Sequence, residues 1–271
     1  MVYEVQDDAA QTWHYGLIAK WWAEFDTTGP EIAYFQRFIE ENGGPALDAA
    51  CGTGRLLVPF LQAGLDVDGA DISPDMLEHA RIRAEREGFS PSLYAQPLHE
   101  LDLPRRYRTI VLCGGFGIGG NRAHDVAALR RLHEHLEPGG LLVLDNEVPY
   151  ADGQLWAKWP KEGQQDFPEE WTEPRSRKPG SDGAEYALRS RVVELDPLLQ
   201  RLTMEMRAWM WRDDELIAQE EHLLKLTLYF KEELLLLLEG AGFMEVDVRG
   251  QYNDAAPTPE DDFLVFVARK G

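Results

Sequence analysis

The chain has 271 residues, of which 44% are hydrophobic and 28% are charged, and its 48 acidic and 27 basic side chains give a formal net charge of −21. This balance excludes sequence-independent binding of DNA or RNA, because neutralising phosphates requires basic surface. No apolar run approaches the roughly 20 residues that span a bilayer, and the first residues lack the charged leader and apolar core of an export signal. We therefore expect a cytoplasmic protein that binds neither membranes nor nucleic acid.

The first part of the chain predicts a helical cap. Residues 13–41 read as two helices rich in aromatic side chains, and we assign residues 1–44 to a cap over the functional site. The aromatic residues are Trp13, Tyr15, Trp21, Trp22, Phe25, Tyr34, Phe35 and Phe38.

Strand and helix patterns then alternate from residue 45 to residue 146, which is typical of parallel strands joined by crossover helices. We predict an α/β fold: a Rossmann-like, doubly wound, seven-stranded and mostly parallel sheet with helices on both faces. Strands are predicted at 45–50, 66–71, 90–95, 108–113 and 140–146, and helices at 54–63, 74–87 and 122–136.

The rhythm stops after residue 146, which indicates an insertion. Residues 150–185 read as an irregular loop, and residues 186–230 predict a small, three-stranded antiparallel sheet. Helix 231–240 and strands at 243–250 and 261–269 return to the main sheet. The predicted core is thus 45–149 with 231–271, and the insertion 150–230 forms a lid over the substrate or a dimer surface.

A nucleoside-binding pattern lies at the first two strands. The first strand runs into a turn that holds Gly52 and Gly54, where backbone can approach a ligand before a helix begins. The second strand ends seventeen residues beyond Gly54 at Asp71, whose carboxylate can accept hydrogen bonds from both hydroxyls of a ribose. The sequence therefore predicts a cofactor that contains a nucleoside.

The spacing of the glycines separates two cofactors. A dinucleotide site has the pattern G-x-G-x-x-G, but Leu57 occupies the third glycine position here. Asp48, at the end of the first strand, would repel a pyrophosphate and would attract an ammonium group. Both features favour S-adenosylmethionine over NAD.

Three segments in order, residues 47–55, 69–77 and 136–144, resemble the motifs of class I S-adenosylmethionine-dependent methyltransferases, and residues 238–243 resemble the turn before that family's last two strands. Ala50 stands where many members have glycine, and Gln96 stands where an aspartate often faces adenine. The inserted sheet also resembles that of amino-sugar N-methyltransferases, some of which pair through it. This likeness gives no substrate and leaves a homodimer open. The methyltransferase resemblance implies S-adenosyl-L-homocysteine as the product.

The resemblance and the strand ends together imply the cofactor site, because ligands of such sheets bind beyond the carboxyl ends of the strands. Asp48 is expected near the ammonium group, Asp71 at the ribose, Met76 and Gln96 around adenine, and Cys113 beside the sulfonium. The full predicted set is Tyr15, Asp48, Ala50, Cys51, Gly52, Gly54, Arg55, Asp71, Ile72, Met76, Gln96, Pro97, Leu98, Cys113 and Gly114.

An acceptor pocket is expected between the aromatic cap, the segment after the fifth strand and one face of the inserted sheet, because such walls are apolar with few polar groups. Its predicted residues are Trp22, Phe116, Tyr150, Trp156 and Trp209. The catalytic group stays open, with His124, Glu147 and His222 as candidate bases. Transfer mainly by proximity and alignment explains the weak catalytic pattern.

Two further features have structural interpretations. Gly115, Gly117 and Gly120 match G-x-G-x-x-G, but no strand ending in an acid follows at the expected distance, so we predict a turn without a phosphate. The two cysteines match no metal-ligand spacing, and we predict no metal.

The sequence thus predicts a methyltransferase that acts on an amine or a hydroxyl of a small molecule. Two alternatives remain: an NAD(P)-dependent oxidoreductase, and a regulatory protein that binds S-adenosylmethionine without catalysis.

Overall fold

The structure is a computed structural model that describes Thr12, residues 14–174 and residues 176–271. Residues 1–11 and Trp13, which the sequence assigns to the cap, lie outside the described residues. The strands are β1 (Ala46–Ala49), β2 (Val67–Asp71), β3 (Leu93–Ala95), β4 (Tyr107–Leu112), β5 (Leu136–Glu147), β6 (Lys178–Pro179), β7 (Glu185–Asp196), β8 (Arg201–Arg212), β9 (Glu215–Thr227), β10 (Phe243–Arg249) and β11 (Phe263–Lys270). The helices are α1 (Gly16–Phe25), α2 (Glu31–Asn42), α3 (Leu57–Gln62), α4 (Pro74–Arg86), α5 (Arg122–His135), α6 (Gly153–Trp156) and α7 (Lys231–Ala241).

Seven strands form the main sheet, in the order β10-β11-β5-β4-β1-β2-β3. Strand β11 is antiparallel to its neighbours β10 and β5. The four remaining pairs, β5-β4, β4-β1, β1-β2 and β2-β3, are parallel. Strand order reverses between β1 and β4, which opens a crevice beyond their carboxyl ends. The predicted fold class is confirmed.

Both faces of this sheet are covered, as its apolar strands require. On one face α5 and α7 bury Leu129 and Leu234 against the sheet. On the other face α2 and α3 bury Phe35 and Phe60. None of the helices in the described part of the chain is long and apolar enough to cross a bilayer.

Side chains cap the two helices that begin beside the crevice. Ser73 Oγ accepts from the Met76 N–H at 3.2 Å and Pro74 takes the first helical position of α4. Asn121 Oδ1 accepts from the His124 N–H at 3.0 Å at the start of α5. Such caps satisfy N–H groups that have no partner within the helix, so they fix where the first turns lie.

The inserted sheet has four strands, in the order β6-β7-β8-β9, rather than the three expected. Strand β6 has only two residues, one of them a proline, and proline is accommodated at a sheet edge. Strands β8 and β9 are joined at Asp213 and Asp214, both with positive φ, a two-residue turn that suits the twist of a hairpin. The turn α6 also lies in the segment predicted to be irregular.

Two contacts attach the inserted sheet to the core. Helix α1 packs Ile18 against Tyr186 and Leu224 of the sheet. The glycine segment after β4 extends the edge at β9: the Thr227 N–H donates to the Gly117 carbonyl at 2.7 Å, and the Gly119 N–H donates to the Lys225 carbonyl at 2.9 Å. This backbone pairing accounts for the glycines without a phosphate.

Replacing Gly117 by alanine is predicted to weaken this attachment. Gly117 has φ of +76°, and an added Cβ would lie 2.5 Å from the Thr227 carbonyl oxygen, so we expect a loss of about 2–4 kcal/mol of unfolding free energy in denaturant titrations. Gly64→Ala is the matched control, because Gly64 has φ of +78° and nothing within 4 Å of the added Cβ. It should lose about 1–2 kcal/mol from backbone strain alone. Equal losses in the two variants would contradict the proposed close contact.

Candidate active site

A cavity of about 380 Å³ lies beyond the carboxyl ends of β1, β2 and β4, in the crevice where strand order reverses. It brings together most of the residues that the sequence assigns to the cofactor. These are Asp48, Ala50, Cys51, Gly52, Arg55, Asp71, Ile72, Met76, Gln96, Pro97, Leu98, Cys113 and Gly114.

The turn after β1 forms the floor of the cavity. Ala50, Gly52 and Gly54 all have positive φ, of 57°, 53° and 78°. Gly54 does not line the cavity; an added Cβ there would lie 3.3 Å from Ala80 Cβ, so this glycine admits helix α4 against the turn. Ala50 adopts the left-handed conformation at a cost of about 1–2 kcal/mol, where glycine would have none.

Asp71 ties the end of β2 to the glycine turn. Its Oδ2 accepts from the Gly52 N–H at 2.9 Å and its Oδ1 accepts from the Ser73 N–H at 2.8 Å. Burial raises the pKa of Asp71, while these two N–H groups oppose the shift. Each carboxylate oxygen has a further lone pair, so two hydroxyl groups of a ligand can still donate to it.

Asp48 is 2% exposed, and its Oδ2 has no hydrogen-bond partner among the described residues. Burial, and then the charge of Asp71, raise the pKa of Asp48 to about 8. An unpartnered buried carboxyl is costly. A cationic group placed in the cavity would supply the missing partner and would favour the ionised form.

Arg55 joins the cap to the glycine turn. Its guanidinium group pairs with Glu31 of α2 and lies 3.3 Å from Asp26, directly after α1. Its Nη2 also lies 3.8 Å from Cys113 Sγ, at the end of β4. The segment before α1 crosses the start of α4, where Ser73 Oγ donates to the His14 carbonyl and Asp75 Oδ2 accepts from the Gly16 N–H at 2.7 Å.

The other end of the cavity carries imidazoles and an acid. His99 and His124 are stacked with ring centroids 4.1 Å apart, and His124 Nδ1 is buried without a partner in the described part of the chain. Burial and His124 lower the pKa of His99. Asp125 also lines the cavity and accepts from the Tyr229 hydroxyl at 2.7 Å. Burial and His222 lower the pKa of His14 to about 4.

Trp22, Phe116 and His124 line the cavity as the sequence predicts, and His14, His99 and Asp125 were missed. Two sequence features could have revealed His99 and Asp125. His99 lies shortly after the end of β3, and Asp125 lies in the first turn of α5, which directly follows the capping residue Asn121. Among the described residues, no group of three His, Cys, Asp or Glu side chains is arranged to hold a metal ion.

Several predicted residues lie away from the cavity. Tyr15 stacks on His222 with centroids 3.7 Å apart, and neither residue lines it. Trp209 stacks on Trp211, on the face of β8 opposite to Ala208, because successive side chains of a strand point to opposite faces.

The segment after β5 also leads away. Tyr150 and Trp156 are exposed, and Trp156 contacts Trp159 and Phe230. Glu147 lines a separate open pocket with Asp152 and Asp262. The prediction placed these residues at the acceptor because they follow a core strand, but β5 lies beyond β4, away from the reversal point.

Residues 46–140 match a family described as a methyltransferase domain. This segment is a methyltransferase domain, and the chain resembles the class I S-adenosylmethionine-dependent methyltransferases. The methyltransferase prediction is therefore confirmed, and S-adenosylmethionine is its cofactor. The oxidoreductase and non-catalytic alternatives receive no support from the comparisons.

Similar proteins include sugar N-methyltransferases. The dTDP-3-amino-3,4,6-trideoxy-alpha-D-glucopyranose N,N-dimethyltransferase of Streptomyces venezuelae is 30% identical over 138 residues, which are 49% of this chain and 56% of that protein. A ubiquinone biosynthesis O-methyltransferase of Cereibacter sphaeroides is 31% identical over 42% of this chain and 47% of its own length. The chain thus matches about half the length of these two relatives.

Solved structures share the fold over nearly the whole chain. The sugar N-methyltransferase KedS8 from Streptoalloteichus has a TM-score of 0.65 at 19% identity and covers 100% of this chain and 97% of its own. An S-adenosylmethionine-dependent methyltransferase from Clostridium acetobutylicum has a TM-score of 0.68 at 17% identity, over 89% of this chain and 91% of its own.

The residues of the cavity suit S-adenosylmethionine. Asp48 Oδ2 lacks a partner and can accept from the ammonium group of the methionine part, and Asp71 has lone pairs for the ribose hydroxyls. Gly52 keeps the floor open, because an added Cβ would lie 3.2 Å from Met76 Cε.

Asp48→Asn is predicted to stabilise the free methyltransferase while weakening the binding of its cofactor. The folded-state pKa of Asp48 is raised to about 8, so its contribution to stability is present at low pH and is lost as pH rises through about 8. At pH 8.5 we expect the variant to gain about 1–3 kcal/mol of unfolding free energy. Calorimetry should show at least tenfold weaker binding of S-adenosylhomocysteine.

A second readout belongs to the same residue. Because a bound ammonium group favours ionised Asp48, binding at pH 7 should release a proton from the wild-type protein and none from Asp48→Asn, measured by titration in buffers of different ionisation enthalpy. Equal proton release by the two proteins would contradict the assignment.

Proposed function

We propose that this methyltransferase transfers a methyl group from S-adenosylmethionine to an amine of a small molecule. The observation that carries the proposal is the continuity of one cavity. It holds the pair His99 and His124 together with Asp48, whose Oδ2 has no hydrogen-bond partner among the described residues. The names of similar proteins agree, since two of them are amino-sugar N,N-dimethyltransferases.

Alignment of donor and acceptor supplies most of the expected rate. The bound cofactor would supply a methyl group on a sulfonium that is already positively charged. Asp48 would hold the ammonium group of the cofactor and Asp71 its ribose, while Trp22 and Phe116 give the cavity apolar walls that exclude water. Holding the reactants in this geometry lowers the barrier without a strong catalytic group.

The amine must be neutral to attack, so a proton has to be removed from it. His124 Nδ1 is buried, lacks a partner in the described part of the chain and lines the cavity, so it is our candidate for the group that takes this proton. The stacked ring of His99 fixes the orientation of the imidazole. A hydroxyl acceptor is the second candidate, favoured by the same unpartnered Nδ1, because a hydroxyl requires a base.

The remaining parts of the molecule are proposed to serve this site. The cap closes it through Arg55, and residues 150–230 provide a lid or a dimer surface. A cytoplasmic location and an acceptor other than nucleic acid are part of the proposal. Supporting features are the formal charge of −21 and two free cysteines, Cys51 and Cys113.

The homodimer is proposed to form along strand β9. This strand lies at the edge of the inserted sheet and exposes Leu216 and Ile217 at its start. Edge strands with exposed apolar residues pair readily with another chain. Ile217→Lys should shift the sedimentation of the protein from dimer to monomer, and Leu236→Lys, on the exposed side of α7, is the control. A monomeric wild-type protein would contradict this proposal.

Calorimetric titration with S-adenosylmethionine, S-adenosylhomocysteine and NAD in parallel tests the proposed function first. We expect micromolar binding of the two adenosyl compounds and none of NAD. Binding of NAD alone would overturn the proposal.

His124→Asn tests the proposed base. With an amine acceptor we expect kcat to fall about 100-fold or more, while the KM for S-adenosylmethionine stays unchanged. The cap of α5 survives, because it uses the backbone N–H of His124. His133→Asn, on the same helix but packed against Phe243, should keep full activity. An unchanged kcat in His124→Asn would leave alignment as the whole mechanism and would exclude His124 as the base.

A further inference from the structure

The charges around the cavity are unequal in sign. Four carboxyl groups line it, and Arg55 is the single lysine or arginine among the described lining residues. Among the residues outside the described part, 1–11 and 13 contain no lysine or arginine, and residue 175 is an arginine. The four carboxyl groups belong to Asp26, Asp48, Asp71 and Asp125. We assign Asp48 and Asp71 to the cofactor.

The one arginine of the lining is already neutralised. The guanidinium of Arg55 pairs with Glu31 and lies 3.3 Å from Asp26. Because two carboxylates face this single guanidinium group, the part of the cavity near Arg55 has no net positive charge to offer an anionic ligand.

Arginines beside the acceptor end are engaged as well. Arg122 pairs with Glu233 and donates to Gln200, and Arg201 donates to the Gly120 carbonyl at 3.1 Å. A nucleotide diphosphate is typically bound by arginine, lysine or the N–H groups of a helix start. At the start of α5, Asn121 already accepts from the first turn and the carboxyl of Asp125 stands beside it.

Asp125 gives the acceptor end its polar group of defined orientation. It is 6% exposed and lines the cavity, and the Tyr229 hydroxyl donates to its Oδ2 at 2.7 Å. Tyr229 is itself fully buried, so the carboxyl is held in one position. A buried, oriented carboxylate is a site for an ammonium group or a hydroxyl of a ligand.

From these charges we infer that the acceptor is a phosphate-free, cationic polyamine of the amino-sugar class, and that Asp125 binds one of its ammonium groups while a second, neutral amino group faces the donor. This inference rests on the proposed function and narrows its substrate class. It separates the protein from relatives named for dTDP-linked amino sugars. The formal charge of −21 would also attract such a cation at long range.

Binding to the full-length protein saturated with S-adenosylhomocysteine tests the inference. The calorimetric probes are kanamycin A, dTDP, and the matched pair glucosamine and glucosamine 6-phosphate, which differ only in the phosphate. We expect kanamycin A to bind, to lose affinity as NaCl is raised, and to bind at least tenfold more tightly than dTDP. Glucosamine should bind more tightly than its phosphate.

Asp125→Asn then tests the residue. The variant should bind kanamycin A at least tenfold more weakly and keep its affinity for S-adenosylhomocysteine, which also reports that it is folded. Asp262→Asn, an acid of the separate pocket beside Glu147, is the matched control and should change neither affinity. If Asp125→Asn fails to fold, Tyr229→Phe provides the second variant, with a several-fold loss of kanamycin A affinity expected.

Different outcomes would overturn the inferred acceptor and the proposed methyltransferase activity. Tighter binding of dTDP or glucosamine 6-phosphate, no binding of kanamycin A at millimolar concentration, or an unchanged affinity in Asp125→Asn would overturn the inference while the methyltransferase assignment stands. Failure to bind S-adenosylhomocysteine would instead overturn the proposed function.

Discussion

A buried carboxyl group with one unpartnered oxygen among the described residues, that of Asp48, is the constraint on which the site depends. Asp48 lies one residue before the end of β1, which has a paired strand on each side that excludes water, and Asp71 adds a second acid nearby. The fold holds these groups in place through backbone hydrogen bonds to Asp71 and through the turn that begins at Ala50. Keeping a polar group in an apolar setting lowers the stability of the free protein, and a cationic ligand recovers it.

The neighbouring elements follow from this arrangement. The positive φ angles of the turn direct the Gly52 N–H toward Asp71 and bring α4 close, which is why Gly54 packs on Ala80 rather than on a ligand. The cap is then attached by charge, since Arg55 lies between the turn and two acids of the first helices. Burial, backbone conformation and ion pairing thus act at one point of the sheet.

The sequence predicted the main sheet and most of the residues that line the cavity beyond β1 and β2. Strand ends, glycines and Asp71 lie within one continuous stretch, and their order along the chain determines their order in space. The acceptor half comes from segments far apart, so its geometry depends on tertiary packing. Asp125 looks like an ordinary acid in a first helical turn, and only Tyr229, 104 residues away, distinguishes it. Trp209 was expected in the acceptor pocket but lies on the opposite face of β8. A shift of one residue along a strand changes the face, and aromatic content alone does not show which face a residue occupies.

The backbone pairing of Gly117 and Gly119 with β9 couples one wall of the cavity to the inserted sheet. The cavity residues after β1 and β2 are held by the main sheet. The wall at Ile118 is instead paired with Leu226 of the inserted sheet through an antiparallel bridge. A change of length or twist in the insertion would therefore reshape the acceptor wall and leave the donor half intact. Substitutions in the inserted sheet can thus alter this wall while the strand ends that carry Asp48 and Asp71 stay in place.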